Sequence, residues 1–174
     1  MSEFYNVLES LYDSGDLEAV DEYLSSAMAM TEPLSSERAE LLVSAALMRV
    51  QKDELDEADK LLSESLKIYS SLPEPDALHA VALTTKAILL SRKRDFRAAL
   101  FAFRQSLEHI RTFSGESLEY ARCKLNIATV YEALGDFPAA TTELEESVRI
   151  LEEHLGPNHE TTKTARADLE RIRN

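Results

Sequence analysis

Apolar residues recur every three or four positions along most of the chain, which gathers them on one stripe of a helix, and polar residues fill the positions between. The clearest stretch runs from 125 to 162. Positions 125–134 predict a helix with Ala128 and Tyr131 on one face, Gly135-Asp136 breaks it, and 137–153 predict a second helix with Ala140, Leu144, Val148 and Leu151 at helical spacing. Two helices joined by so short a turn, with small residues where they meet, predict an antiparallel hairpin. No strand pattern is evident anywhere, so the expected class is all-α.

One hairpin of this size cannot bury its own apolar face and needs stacked neighbours. The unit recurs three more times. Ala140, in Gly135-Asp136-Phe137-Pro138-Ala139-Ala140, is matched by Ala99 in Arg94-Asp95-Phe96-Arg97-Ala98-Ala99 and by Ala58 in Asp53-Glu54-Leu55-Asp56-Glu57-Ala58, each step being 41 residues. Ser65-Leu66, Ser106-Leu107 and Ser147-Val148 repeat at the same step of 41 and form an independent landmark. In a further copy, Gly15-Asp16-Leu17-Glu18-Ala19-Val20, Val20 stands 38 residues before Ala58.

The hairpins are expected over about 1–34, 36–72, 76–115 and 117–158, within one domain spanning 1–174. In the first, Phe4, Leu8 and Leu11 face inward from one helix, and Leu17, Val20, Leu24, Ala27 and Met28 from the other. Ser35 or Ser36 should cap the second hairpin's first helix before Glu37. That hairpin turns at Lys52-Asp53-Glu54. The prolines of Leu72-Pro73-Glu74-Pro75 disfavour helix in the next linker. The third hairpin turns at Arg92-Lys93-Arg94-Asp95, and Ser114-Gly115-Glu116-Ser117 leads to the fourth. The tail, 160–173, carries Ala165, Leu169 and Ile172 at helical spacing and aligns with the first helix of a further repeat, so it is expected to be a capping helix. The alternative is that the chain is cut from a longer array.

Leu125-Asn126-Ile127-Ala128, Tyr131, Gly135-Asp136-Phe137 and Ala140, with the linker His154-Leu155-Gly156-Pro157-Asn158-His159, resemble the tetratricopeptide-repeat (TPR) family, in the long-repeat variety of kinesin light chain. The other copies are more degenerate: Arg49 and Leu90 stand where the fourth has Tyr131. The resemblance implies a right-handed TPR-type α-solenoid of four helical hairpins plus a C-terminal capping helix. It also implies a concave groove lined by the first helix of each repeat. In register, that groove would present Tyr5, Glu9 and Tyr12, then Val43, Leu47 and Val50, then Thr84, Ile88, Ser91 and Arg92, and finally Arg122, Leu125, Asn126, Thr129 and Glu132. Asn126 matches the asparagine with which such arrays hold the backbone of a bound peptide. Arrays that clamp a C-terminal carboxylate use a lysine or arginine and an asparagine where this chain has Tyr5 and Glu9, so that ligand is not expected. Val43, Leu47, Val50 and Ile88 would make the middle of the groove apolar, as a site for an apolar or amphipathic segment is.

Charge narrows the partners further. The net charge is −13, which argues against nucleic acid, since phosphate contacts need a basic face. Residues 1–75 hold 17 acidic and 5 basic side chains, a net of −12, and residues 76–174 hold 15 and 14, a net of −1. A basic or amphipathic partner suits the acidic half, and so does the plainer reading of a solvated surface. The one dense basic cluster, Arg92-Lys93-Arg94 with Arg97, reads as a solvated turn. No apolar run approaches the roughly 18 residues of a membrane span, and the acidic N-terminus lacks the basic start of a signal peptide, so a cytoplasmic location without membrane insertion is expected.

Candidate chemistry is sparse. Cys123 has no second cysteine to pair with and reads as a buried structural thiol. His154 and His159 flank Leu155-Gly156-Pro157, but two histidines without a carboxylate or thiol make a weak metal site and read as linker packing. Neither a Gly-rich phosphate loop nor a nucleophile beside a base is present, so no catalysis, cofactor or metal is expected. The reading is a non-enzymatic adaptor whose groove holds an extended or amphipathic protein segment. The alternatives are a small acidic chaperone of a secreted partner, a structural homo-oligomer, and the sensor fragment of a larger regulator.

Overall fold

The computed structural model describes residues 7, 10, 11, 13–73 and 77–173. Among them are eight helices and no strand: α1 (Leu17–Met30), α2 (Ser36–Gln51), α3 (Leu55–Ser71), α4 (His79–Arg92), α5 (Phe96–Ser114), α6 (Leu118–Leu134), α7 (Phe137–Leu155) and α8 (Glu160–Arg173). The chain is all-α, as expected. Phe4, Tyr5, Leu8, Glu9 and Tyr12 lie outside the described residues, as does the side chain of Leu17. The helix expected from 125 begins seven residues earlier, at Leu118, because Ser117 caps it by accepting from the Tyr120 N–H at 3.3 Å.

Two compact units divide the chain, Met1–Thr85 and Lys86–Asn174, with the boundary inside α4. In the first unit, Val20, Leu24 and Ala27 of α1 meet Leu41, Ala45 and Met48 of α2 in one buried cluster. Ala39, Ala46, Ala58 and Leu62 are fully buried along α2 and α3, so small residues let the two helices approach. Burying a side chain such as Leu24 or Leu62 stabilises by roughly 1.5–3 kcal/mol. In the second unit, α6, α7 and α8 share a cluster of Ala121, Ala128, Ala140, Leu144, Val148, Ile150, Leu151, Ala165 and Leu169.

The landmarks that set the repeat have physical roles. Ala58, Ala99 and Ala140 are all fully buried. Ser65 Oγ donates to the Ala39 carbonyl at 2.8 Å, and Ser147 Oγ to the Ala121 carbonyl at 2.9 Å, both buried, so the serine ties the second helix of a hairpin to the start of its first. Asp16, Asp95 and Asp136 cap α1, α5 and α7 through the N–H groups of Ala19, Ala98 and Ala139, at 3.0, 3.1 and 3.2 Å. Glu54, at the matching position before α3, makes no such cap; its carboxylate bonds Arg49 Nη1 at 2.8 Å. Just before each of these residues the backbone turns left-handed, at Gly15, Asp53, Arg94 and Gly135, with φ of 74°, 63°, 62° and 76°.

Candidate binding face on α6

Lys124 fixes which side of α6 faces the core. It is 8% exposed, at the register position that Leu42 and Leu83 occupy as buried residues, and its ammonium reaches Glu143 at 2.7 Å and Glu146 at 2.8 Å on α7. Burial alone would lower the Lys124 pKa, but the two carboxylates outweigh it and the net shift is upward. Lys124 also lies 5.6 Å from the Tyr120 ring, whose hydroxyl burial pushes up in pKa. Cys123, beside it, is buried and donates its S–H to the Phe103 carbonyl at 3.7 Å, consistent with a structural thiol.

The opposite side of α6 carries Arg122, Leu125, Asn126, Thr129 and Glu132, spaced to share one face. Arg122 and Thr129 are exposed, and Leu125, Asn126 and Glu132 half-buried. The Asn126 amide makes no hydrogen bond to any described residue, and Arg122 makes no ion pair with one. Glu132 is already engaged: Arg171 of α8 grips it at 2.5 and 3.1 Å and also meets Asp168 at 3.2 Å. Bonding to Arg171 lowers the Glu132 pKa and raises that of Arg171. Between α6 and α8 lies a cleft of about 340 Å³. Leu125, Ala128, Leu144 and Ala165 supply its apolar lining, and Thr129, Glu132, Glu160, Thr161, Thr164, Asp168 and Arg171 its polar lining.

Other expected groove residues fare differently. Leu47 is 37% exposed, but Val43 and Val50 are 4% and 6% exposed, which removes them from any accessible face. At roughly 100° per residue, Leu47 lies about 40° round α2 from Val43 and about 60° from Val50, enough to turn it to solvent while they face the core. Thr84, Ile88 and Ser91 are half-buried on α4, and Arg92 is exposed at its end.

Two of the four histidines serve linkers. His154 Nε2 lies 2.8 Å from the Glu116 carbonyl, and His159 Nδ1 accepts from the Thr161 N–H at 3.2 Å at the start of α8. Arg149 bonds Glu116 at 2.6 Å and Glu153 at 2.9 Å, which lowers the Glu116 pKa. No group of three or more metal-ligating side chains gathers among the described residues, and none of their helices is long and apolar enough to cross a membrane.

Sequence reasoning missed Lys124 and the α8 side of the cleft. Lining the repeats up exposes Lys124, a lysine among leucines. Arg171 carries no comparable signal, because helical spacing in the tail marks only its apolar side.

Two family models described as tetratricopeptide repeat match residues 37–112 and 121–161. The chain belongs to the tetratricopeptide-repeat family. Such repeats make a protein–protein interaction scaffold. Among solved structures, BtubC (BKLC) from P. vanneervenii matches at 17% identity and TM-score 0.71, over 99% of this chain and 66% of that one. A chain of the APC/C hetero-tetramer Cut9-Hcn1 matches at 19% and 0.77, over 98% and 29%. A kinesin-light-chain-type protein of Podosopora anserina, built of nearly identical TPR-like repeats, matches at 17% and 0.79, over 97% and 82%. This chain therefore spans less than two thirds of the first two. No curated protein matches the sequence significantly.

Proposed function

We propose that this protein is a non-enzymatic adaptor that holds an extended or amphipathic segment of a protein partner on the exposed face of α6. The observation that carries this reading is the Asn126 amide, half-buried beside Leu125 and Thr129 yet bonded to no described residue. An amide offers both a donor and an acceptor, which is what the backbone of an extended segment requires. An apolar partner side chain would enter the neighbouring cleft over Leu125, Ala128, Leu144 and Ala165, and Glu160, whose carboxylate is not taken up by Arg171 as those of Glu132 and Asp168 are, favours a basic flank. The hetero-tetramer of Cut9 with Hcn1 is a precedent in this fold for holding a different protein chain.

The test is to select peptides from a displayed random library on the full chain and titrate the winners against wild type and Asn126→Ala. Losing the amide should weaken binding about tenfold, the worth of one or two hydrogen bonds. Thermal unfolding should be unchanged, because that amide bonds nothing described in the free protein. Equal affinities would remove Asn126 from the site.

A further inference from the structure

The exposed face of α5 differs from its counterparts in the other repeats. Arg97, Phe101 and Arg104 are spaced by four and three residues and so form one stripe. All three are exposed, and Phe101 is 65% exposed. The same three positions hold Asp56, Lys60 and Ser63 in the second repeat and Pro138, Thr142 and Glu145 in the fourth, all exposed and none of them aromatic. A solvated helix face needs no phenylalanine, and its two register neighbours show that the fold does not require one there.

The arginines are unusual in a second way. The chain has 32 acidic and 19 basic residues, and Arg49, Arg149, Arg166, Arg171 and Arg173 are each held in a salt bridge. Arg94, Arg97, Arg104 and Arg111 form none with any described residue, despite that excess of acid. Residues 92–111 hold six basic and two acidic side chains, a net of +4 in a chain of net −13. Arg94 stands at a left-handed position, φ 62°, where the first and fourth repeats have glycine. Its guanidinium sits 5.7 Å from the centroid of the Phe96 ring, and Arg104 Nη2 donates to the Tyr131 hydroxyl at 2.7 Å, so of the two arginines in the stripe Arg104 already has a bonded position.

We infer that the Arg97–Phe101–Arg104 stripe of α5 is a second docking surface, taking an acidic helical segment of another protein in which one apolar side chain is flanked a turn away on each side by carboxylates. The apolar residue would cover Phe101, and the carboxylates would receive the two guanidinium groups, which match that shape with paired donors. The acidic remainder of the chain repels nucleic acid, and a single aromatic is a poor anchor for a bilayer. This surface shares no residue with the α6 face, so the adaptor would join two partners.

The experiment titrates the full chain with two alanine-based helical peptides, one carrying Glu, Leu and Glu at positions i, i+4 and i+7 and the other Lys, Leu and Lys, followed by fluorescence anisotropy. The acidic peptide should bind and the basic one should not, and the affinity should fall at least tenfold between about 0.05 and about 0.5 M NaCl. Phe101→Thr and Arg97→Asp introduce residues the neighbouring repeats already carry, so they should fold; each should weaken binding about tenfold. Asn126→Ala should leave this binding unchanged, which separates it from the α6 face. The inference is overturned if neither peptide binds, if both bind alike, or if the α5 variants bind as wild type does. It is equally overturned if what Phe101→Thr abolishes is adhesion to phosphatidylserine vesicles or a concentration-dependent rise in mass, which would assign the stripe to a lipid surface or to a second copy.

Discussion

Lys124 carries a buried charge where the second repeat has an apolar pair, Leu42 and Leu61 standing in register with Lys124 and Glu143. Removing the lysine strands two carboxylates, so Lys124→Ala should cost about 2 kcal/mol in a denaturant titration, at the low end for such pairs because the glutamates are partly exposed. Replacing Lys124 and Glu143 together by leucine should come within about 1 kcal/mol of wild type or exceed it. Ser147 makes a plainer contribution. Its hydroxyl satisfies one bond to a carbonyl that the helix already uses, and Ser147→Ala should lose about 1 kcal/mol. The serines are visible in the sequence as a landmark of the repeat, but a period shows that a residue recurs and says nothing of its hydrogen bond. Val43 and Val50 show the same limit: the register puts them near Leu47, and a rotation of some tens of degrees separates buried from exposed.

Helices, turns and caps were the most legible level. Ser35 caps α2 by accepting from the Arg38 N–H at 3.1 Å, one of the two serines expected there, and α8 covers the expected tail. Gly135 ends α6 in the left-handed region, and a Cβ added there would meet nothing within 4 Å, so backbone strain alone decides the effect of a substitution. Gly135→Ala should therefore cost roughly 1–2 kcal/mol in thermal unfolding. Less legible was how α8 is fastened, since ion pairs between distant positions leave no period to read. Arg166 reaches Glu152, Arg171 reaches Glu132, and Arg173 reaches Glu145. The Glu132 carboxyl is held below its ordinary 4.5, so its contribution is present above that value and is lost as pH falls through the lower folded value. Glu132→Gln should accordingly lose less stability than wild type on acidification from about pH 6 to about pH 3, read as the change in Tm, while being less stable by about 0.5–1 kcal/mol near neutrality.

At the scale of the whole molecule, the sequence carried the repeat period and the family, because both rest on periodicity and short motifs. The proposed binding surfaces were legible in part: the register already placed Asn126 on the expected groove, but that its amide bonds no described residue, and that Arg97 and Arg104 form no ion pair with one beside the exposed Phe101, depend on contacts made only on folding. The charge is uneven in the same way, with the acid concentrated in residues 1–75 and a basic stretch at 92–111. The proposed adaptor holds its partner segment on α6. Amide resonances of the ¹⁵N-labelled full chain, followed while a library-selected peptide is added, test that placement most directly. A segment seated on that face should shift Arg122, Leu125, Asn126 and Thr129 together, saturating with the peptide. Saturable binding that leaves those four unmoved and shifts residues elsewhere would contradict it.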